Sequence, residues 1–386
     1  MTERLGSLGA FPPAANYAYM DAASVALMHK DASDAIERWQ RSLATEGTLA
    51  FDEEAETQVL GKLGGAAARL FNAEEKDIAI ASSETVLMAS LAWAVSPGRG
   101  RTIVATNICH PSTIYPWVRV AEHTGAEMRW VRAPERYVDP DELTAAIDET
   151  TAVVCLSHVE YGTGQTYDLK RFADLAHRVG AILVVDATQS AGQVAVDVRA
   201  TGIDAAACSL YKWLCGPFGV GFMYVAPTLQ RLNPGIRGWR SHEDIWDFQA
   251  DRIRLPDCAK RFEFGTMAYG CALGAAMAID YLLELTIPAI CEHNQQIAGK
   301  LREGLKELGA QILSPERRDE RSAIVAARFS GQDSSAIGKA LKERKVLVSV
   351  RRDFLRFSPH LYNNSGDVDA ALAAIAASLQ PTRNKG

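Results

Sequence analysis

A lysine and an aspartate 26 positions apart carry the residue types here that could do chemistry together. Lys212 lies in Cys208-Ser209-Leu210-Tyr211-Lys212-Trp213-Leu214-Cys215-Gly216-Pro217-Phe218-Gly219, an apolar stretch that runs into a Gly-Pro-Phe-Gly turn. Lysines are nearly always solvated. One flanked by Tyr211 and Trp213 is partly desolvated, which lowers its pKa and frees the amine to form an imine. Asp186 ends the run Ala181-Ile182-Leu183-Val184-Val185, which reads as a buried strand. The carboxyl end of such a strand is where open α/β sheets bind ligands, and a carboxylate there is costly unless paired. A bland use for it is capping the Thr188-Gln189-Ser190 turn. With Lys212 downstream, the pair suits pyridoxal 5′-phosphate (PLP): the lysine takes the aldehyde as a Schiff base, and the aspartate holds the ring N–H so that the ring can accept electrons. That cofactor implies an enzyme acting on the carbons of amino acids.

A phosphate and a ring face also need partners. Ser82 and Ser83 lie between a strand and a helix, where backbone N–H groups and the helix dipole bind phosphate; Ser-Ser-Glu is also a common helix start. Ser209 and Tyr211 offer hydroxyls at a spacing that suits the phosphate, or serve as ordinary loop hydrogen-bonding groups. His110, just after a strand, could stack on the pyridine ring or be a satisfied structural histidine. Arg356 is a lone arginine inside the apolar strand Phe354-Leu355-Arg356-Phe357. Alternation places it on one face with Phe354 and Ser358. It could grip a substrate carboxylate in two bonds or pair with a core acid. Arg351 and Arg352 are nearby competitors that read as more exposed.

The elements that must position these residues are legible as runs. Seven short apolar runs predict strands at Asp77–Ala81, Thr102–Thr106, Ala126–Val131, Ala152–Ser157, Ala181–Asp186, Ala205–Ser209 and Gly219–Val225. Most are separated by helical periodicity. Asp139-Pro140-Asp141-Glu142 opens one helix, with Glu142 reaching back. Asp168 caps another, with an apolar face of Leu169, Phe172, Leu175 and Ala176, and Gly180 ends it. The alternation predicts an α/β fold with a seven-stranded, mainly parallel sheet covered on both faces. From Pro234 to Pro256, with Trp239 and Trp246, no period holds and an irregular crossing segment is predicted. Helices follow around Gly270–Glu284 and Ile287–Leu308, then short strands near Ala323–Phe329, Val346–Val350 and Phe354–Ser358, and a last helix from Asp367 to about Leu379. The predicted division is an N-terminal segment (1–25), a large cofactor-binding domain (26–255) and a smaller C-terminal α+β domain (256–386).

The chain of 386 residues is 48% hydrophobic and 23% charged, with a formal net charge of −6. The charges are well mixed, so no nucleic-acid surface or polybasic membrane patch is expected. No apolar run is long enough to span a bilayer, and the opening MTERLGSLGAF lacks the features of a secretory signal. Seven cysteines without a CxxC pair suggest free thiols in a reducing interior. A cytoplasmic protein is expected.

The Ser209–Lys212 block, the segment from His110 to Trp117 and the Asp186-to-Gln189 turn resemble the class V aminotransferase family of fold-type I PLP enzymes. That family includes cysteine desulfurases, selenocysteine lyases, kynureninases and isopenicillin-N-epimerase-like proteins, and the resemblance covers nearly the whole chain. The block around Lys212 is most similar to the epimerase-like and kynureninase-like branches, because desulfurases usually place His where Tyr211 stands. The resemblance implies that His110 stacks on PLP and that Gln189 hydrogen-bonds the ring oxygen. It implies that Thr266, in Arg261-Phe262-Glu263-Phe264-Gly265-Thr266, reaches the phosphate in a partner subunit, giving a homodimer with sites at the interface. It implies that Arg356 binds the substrate carboxylate. Two departures stand out. Desulfurases carry a mobile catalytic cysteine in the C-terminal domain, whereas the last cysteine here is Cys291, on a predicted helix. The polar pair after His158-Val159 is Glu160-Tyr161, whose role, like those of Trp239 and Cys215, the sequence leaves open. The leading expectation is a lyase acting by Cα deprotonation and C–S or other β-elimination. The alternatives are an aminotransferase or oxidative deaminase, an amino-acid epimerase, and a non-catalytic PLP-fold protein with a binding or regulatory role.

Overall fold

The computed structural model describes residues 2–379. Its strands are β1 (Ala18–Tyr19), β2 (Ile78–Ala81), β3 (Thr102–Thr106), β4 (Glu127–Val131), β5 (Thr151–Ser157), β6 (Ile182–Asp186), β7 (Ala205–Ser209) and β8 (Gly221–Val225), followed by β9 (Gln311–Ile312), β10 (Val325–Arg328), β11 (Val346–Leu347), β12 (Ser349–Arg351) and β13 (Phe354–Phe357). The large sheet has seven strands in the order β2-β8-β7-β6-β5-β3-β4. Strand β8 runs antiparallel to both of its neighbours, and the other pairs are parallel. All seven predicted runs fall in this sheet, their ends shifted by at most two residues. Helices cover both faces, so the central strands must be apolar on both sides. Leu183, Val184 and Val185 of β6 are completely buried. At the edge, β4 carries the exposed Glu127 and the half-buried Arg129, charges that discourage further pairing.

Register decides what the sheet presents. Ser157 of β5 pairs with Asp186 of β6, and Asp186 with Ala207 of β7. The carboxyl ends of the parallel strands therefore finish together, and the loops that follow them carry the chemistry. The predicted caps hold: Asp139 accepts from the Asp141 N–H at 2.9 Å, and Asp168 from the Arg171 N–H at 3.1 Å. Glu142, expected to reach back, makes no such bond among the described residues; the helix Pro140–Ala145 is only six residues long and closes without it.

The second sheet is antiparallel, ordered β12-β13-β10-β9. The single strand expected over 346–350 divides at Val348 because its halves have different partners: β11 pairs in parallel with β1, and β12 pairs with β13. The N-terminal segment is thus woven into the small sheet's side of the molecule, and Asp21 bridges to Ser358. Helix Tyr269–Leu285, within the segment 256–386, packs chiefly on helices Lys30–Glu46 and Gly61–Phe71. Residues 234–256 are irregular apart from a short turn at Trp239–Ser241. Among the described residues no single helix is long and apolar enough to cross a membrane.

Candidate active site

Asp186 stands at the end of β6, 6% exposed. One carboxylate oxygen accepts from the Thr113 hydroxyl at 2.6 Å, and the other from the Thr188 backbone N–H at 2.8 Å. The capping use and the functional use therefore coexist: Thr188 and Thr113 fix the carboxylate and leave lone pairs for a further donor.

Lys212 is 8% exposed. Among the described residues its Nζ makes no hydrogen bond or salt bridge, and it lies 5.6 Å from the centre of the Tyr211 ring. Burial lowers its pKa, with Asp186 opposing and Arg356 adding to the effect. An amine at the end of a buried side chain, with no protein partner to hold it, is poised to react with an aldehyde. The loop around it is held rigidly. Trp213 donates its indole N–H to the Gln189 side chain at 2.8 Å. The Trp213 carbonyl meets the His360 ring at 2.9 Å, and the Cys215 N–H closes back on the Lys212 carbonyl at 2.8 Å. Gly192, at φ 97°, completes the arrangement: a Cβ there would lie 2.3 Å from the Trp213 carbonyl oxygen.

His110 caps helix Pro111–Thr124, its Nδ1 accepting from the Ser112 N–H at 3.3 Å. Burial, then Lys212, lowers its pKa, which favours the neutral ring. It meets Tyr161 edge-on, with centroids 5.3 Å apart. Gln189 is buried, and its side-chain N–H group donates to the Ala23 carbonyl at 3.0 Å, so one amide proton remains for a ring oxygen.

Glycine brings the phosphate end together. A Cβ on Gly221 would sit 2.5 Å from the Glu84 nitrogen and 2.8 Å from the Ser83 carbonyl carbon. Gly221 also pairs with Ser209 across β7 and β8. The start of helix Glu84–Val95 is thereby pressed against the Lys212 strand, with Ser82, Ser83 and Ser209 close by. Ser83 is the cap, accepting from the Val86 N–H at 3.3 Å. Tyr211 stacks on Phe218 at 4.3 Å. Glu84 is fully buried here, and burial, then Asp186, raises its pKa to about 8.

At the substrate end, Arg356 is 1% exposed. Its Nη1 donates to the Tyr161 carbonyl at 2.8 Å and its Nη2 to the Ser24 hydroxyl at 2.6 Å, with Asp21 at 3.6 Å. Its Nε is buried without a partner. Both bland and functional readings thus apply: the arginine lies near an acid and still keeps N–H groups that Tyr161 and Ser24 do not use. Arg351 shares Ser24, at 3.2 Å, so it is less exposed than the sequence suggested. Thr266 lies apart and exposed. Trp239 packs on Trp246 at 5.8 Å. Cys215 is buried at φ 52°, and burial alone raises its thiol pKa. Cys291 lies on helix Ile287–Glu307, its pKa likewise raised by burial.

Several site residues had no reading from sequence. Thr113 lies three residues after His110, a helical spacing that could have flagged it. Glu84 directly follows the two serines. Asp21, Ser24 and His360 carry no local signal. The unpartnered Lys212 amine, the fixed Asp186 carboxylate and the close-packed helix start fit PLP.

Comparison with known proteins supports the same conclusion. The family model for aminotransferase class V matches residues 18–370. The uncharacterized aminotransferase YcbU of Bacillus subtilis is 27% identical over 95% of this chain and 96% of its own. A cysteine desulfurase of Haloferax volcanii is 26% identical over 89% and 83%. Among solved structures, a complex of the cystine C–S lyase C-DES with cysteine persulfide superposes with a TM-score of 0.86, at 25% identity, over 95% and 99% of the two chains. The apo cysteine desulfurase of Thermococcus onnurineus gives 0.86 at 22% identity, over 96% of both chains, which speaks to the fold. With its fold-type I architecture and its lysine–aspartate pair in place, this chain belongs to the aminotransferase class-V family.

Proposed function

We propose that the protein is a PLP-dependent lyase that cleaves the C–S bond of a cysteine-derived amino acid. The carrying observation is the buried side chain of Lys212, whose amine has no partner among the described residues, together with an Asp186 carboxylate that Thr113 and Thr188 hold in place. When bound, PLP supplies an electron sink for charge developing at Cα. Asp186 keeps the ring nitrogen protonated. His110, its pKa lowered by burial, would lie against the ring, and Gln189 would give its free amide proton to the ring oxygen. Ser82, Ser83, Ser209 and Tyr211 hold the phosphate with the helix N-terminus. Arg356 fixes the substrate carboxylate with the guanidinium hydrogens that Tyr161 and Ser24 leave free. The Lys212 amine, its pKa lowered by burial, takes the Cα proton at Nζ. Among the described thiols near the site, Cys109 is pushed up to about 12 by burial and Cys215 is raised as well. Neither suits a sulfur acceptor, which favours release of the sulfur as a small molecule.

We further propose a cytoplasmic homodimer in which Thr266 of one protomer contacts the phosphate held by the other; its exposed position supports this. Products decide the reaction. With cysteine or S-alkyl cysteines a lyase yields thiol or sulfide, pyruvate and ammonia. The names of the relatives favour a second reading, desulfuration, which yields alanine and a protein persulfide. A 2-oxo acid that retains the sulfur substituent would indicate transamination or oxidative deamination, the D-isomer an epimerase, and the absence of any turnover a binding protein.

A further inference from the structure

A cavity of about 520 Å³ adjoins the site and has no part in the reaction just proposed. It shares Tyr161 with the site: the Tyr161 ring packs on His110, and its carbonyl holds Arg356. Three arginines line the cavity, Arg136, Arg351 and Arg352. Arg136 is answered by Asp353 at 2.7 Å and rests over the Phe354 ring. Arg351 has no carboxylate partner among the described residues; its Nη2 reaches the Ser24 hydroxyl, and its Nε is buried with no partner at all. Arg352 sits exposed at the turn between β12 and β13, held at φ 41°. The one acid in the lining is Glu160, 1% exposed. One of its oxygens accepts from Thr106 at 3.1 Å and Tyr167 at 3.0 Å, while the other is buried without a partner. Burial raises its pKa to about 7, so near neutral pH it is only partly ionised and offsets only part of the positive charge.

A partly buried guanidinium with an orphaned donor is costly unless an anion completes it. The site already has Arg356 for one carboxylate, so the cavity calls for a second anion.

We propose that this cavity binds a distal carboxylate on the substrate side chain, with Arg351 as its principal donor and Arg136 and Arg352 supplying the field. The substrate class is then an S-substituted cysteine whose substituent ends in a carboxylate. This rests on the lyase reading of the adjoining site. Two probes of equal size isolate the charge: S-carboxymethyl-L-cysteine and S-carbamoylmethyl-L-cysteine. Cleavage of the acid breaks Cα–H and Cβ–S and, with one water, gives thioglycolate, pyruvate and ammonia; the amide gives 2-mercaptoacetamide instead.

For the PLP-loaded enzyme, kcat/KM for the acid should exceed that for the amide by about tenfold or more, mostly through KM. Arg351→Gln should bring the ratio to within about twofold. Arg352→Gln, at an exposed position where misfolding is not a concern, should reduce it by about two- to fivefold. A wild-type ratio near one overturns the proposal. So does an Arg351→Gln variant that loses both substrates equally, which would make Arg351 the α-carboxylate group. Titrating the cofactor absorbance with each probe gives binding constants independent of cleavage. Acid-selective binding without thioglycolate or pyruvate would sink the lyase reading and leave the cavity assignment standing. Cleavage of both probes without preference would do the reverse.

Discussion

Asp186 and Arg356 are both buried charges, 6% and 1% exposed, but they are held by different kinds of neighbours. Asp186 is fixed by Thr188, two residues on, and by Thr113 from the helix that follows β3. Its setting is a strand end in a parallel sheet, built from successive strand–helix units. Arg356 is fixed by Ser24, by Asp21 and by the Tyr161 carbonyl, groups up to 335 residues away in sequence. The cofactor wall is thus preformed by the large sheet. The substrate wall exists once the N-terminal segment, the loop after β5 and the small sheet have all docked. It follows that changes on the first wall should remove chemistry, whereas changes on the second should alter binding and stability together.

The largest effect should come from Lys212→Ala. Borohydride should no longer fix PLP to the chain, and turnover should disappear. Labelling of a different lysine in the wild type would move the cofactor wall elsewhere.

Asp186→Asn should keep part of its PLP yet slow exchange of the substrate Cα proton in heavy water by several orders of magnitude, a loss on the order of a few kcal/mol in the transition state. Thr113→Val should act in the same direction but less, since it removes one of two bonds to the carboxylate. Unchanged exchange in both variants would break the account of this wall.

On the other wall, Arg356→Lys should raise KM strongly while PLP stays bound, because an ammonium cannot reproduce the fork. Ser24→Ala should raise KM by a smaller factor and lower the melting temperature, since it leaves donors of both Arg356 and Arg351 without their acceptor. A pure kcat defect in either variant would erase the contrast between the walls.

The pH dependence sharpens the comparison on the side of stability. Burial raises Glu84 from 4.5 to about 8, and Glu160 and Glu263 to about 7. The folded chain holds these protons where the unfolded chain has released them. The associated stability is full below about 4.5 and lost as pH rises through 7 to 8. Melting temperature should fall by a few degrees between pH 6 and pH 9, and Glu84→Gln should flatten the drop. A melting temperature that rose over that range would contradict these protonation states. The smallest effect is expected from Cys215→Ser, which should leave the product pattern intact. A persulfide found on Cys215, with turnover lost in the variant, would restore the desulfurase reading.

Sequence alone carried the first wall far. The apolar run ending in Asp186 read as a doubly buried strand, and the alternation with helical segments predicted a mainly parallel sheet, so the position of Asp186 at a strand's carboxyl end followed from local physics. The Lys212 neighbourhood was apolar enough to imply a depressed pKa. The caps at Asp139 and Asp168 were also local, because a capping side chain bonds within its own turn. Long-range pairing decided the rest. Nothing near Asp21 or Ser24 signals that they meet Arg356, since that meeting depends on β1 joining β11 and on Asp21 bridging to Ser358. The division of residues 346–350 into two strands likewise depends on two different partners. The protonation of Glu84 and Glu160 and the unpartnered nitrogens of Arg351 and Arg356 are properties of burial, which tertiary packing sets and a linear sequence does not display.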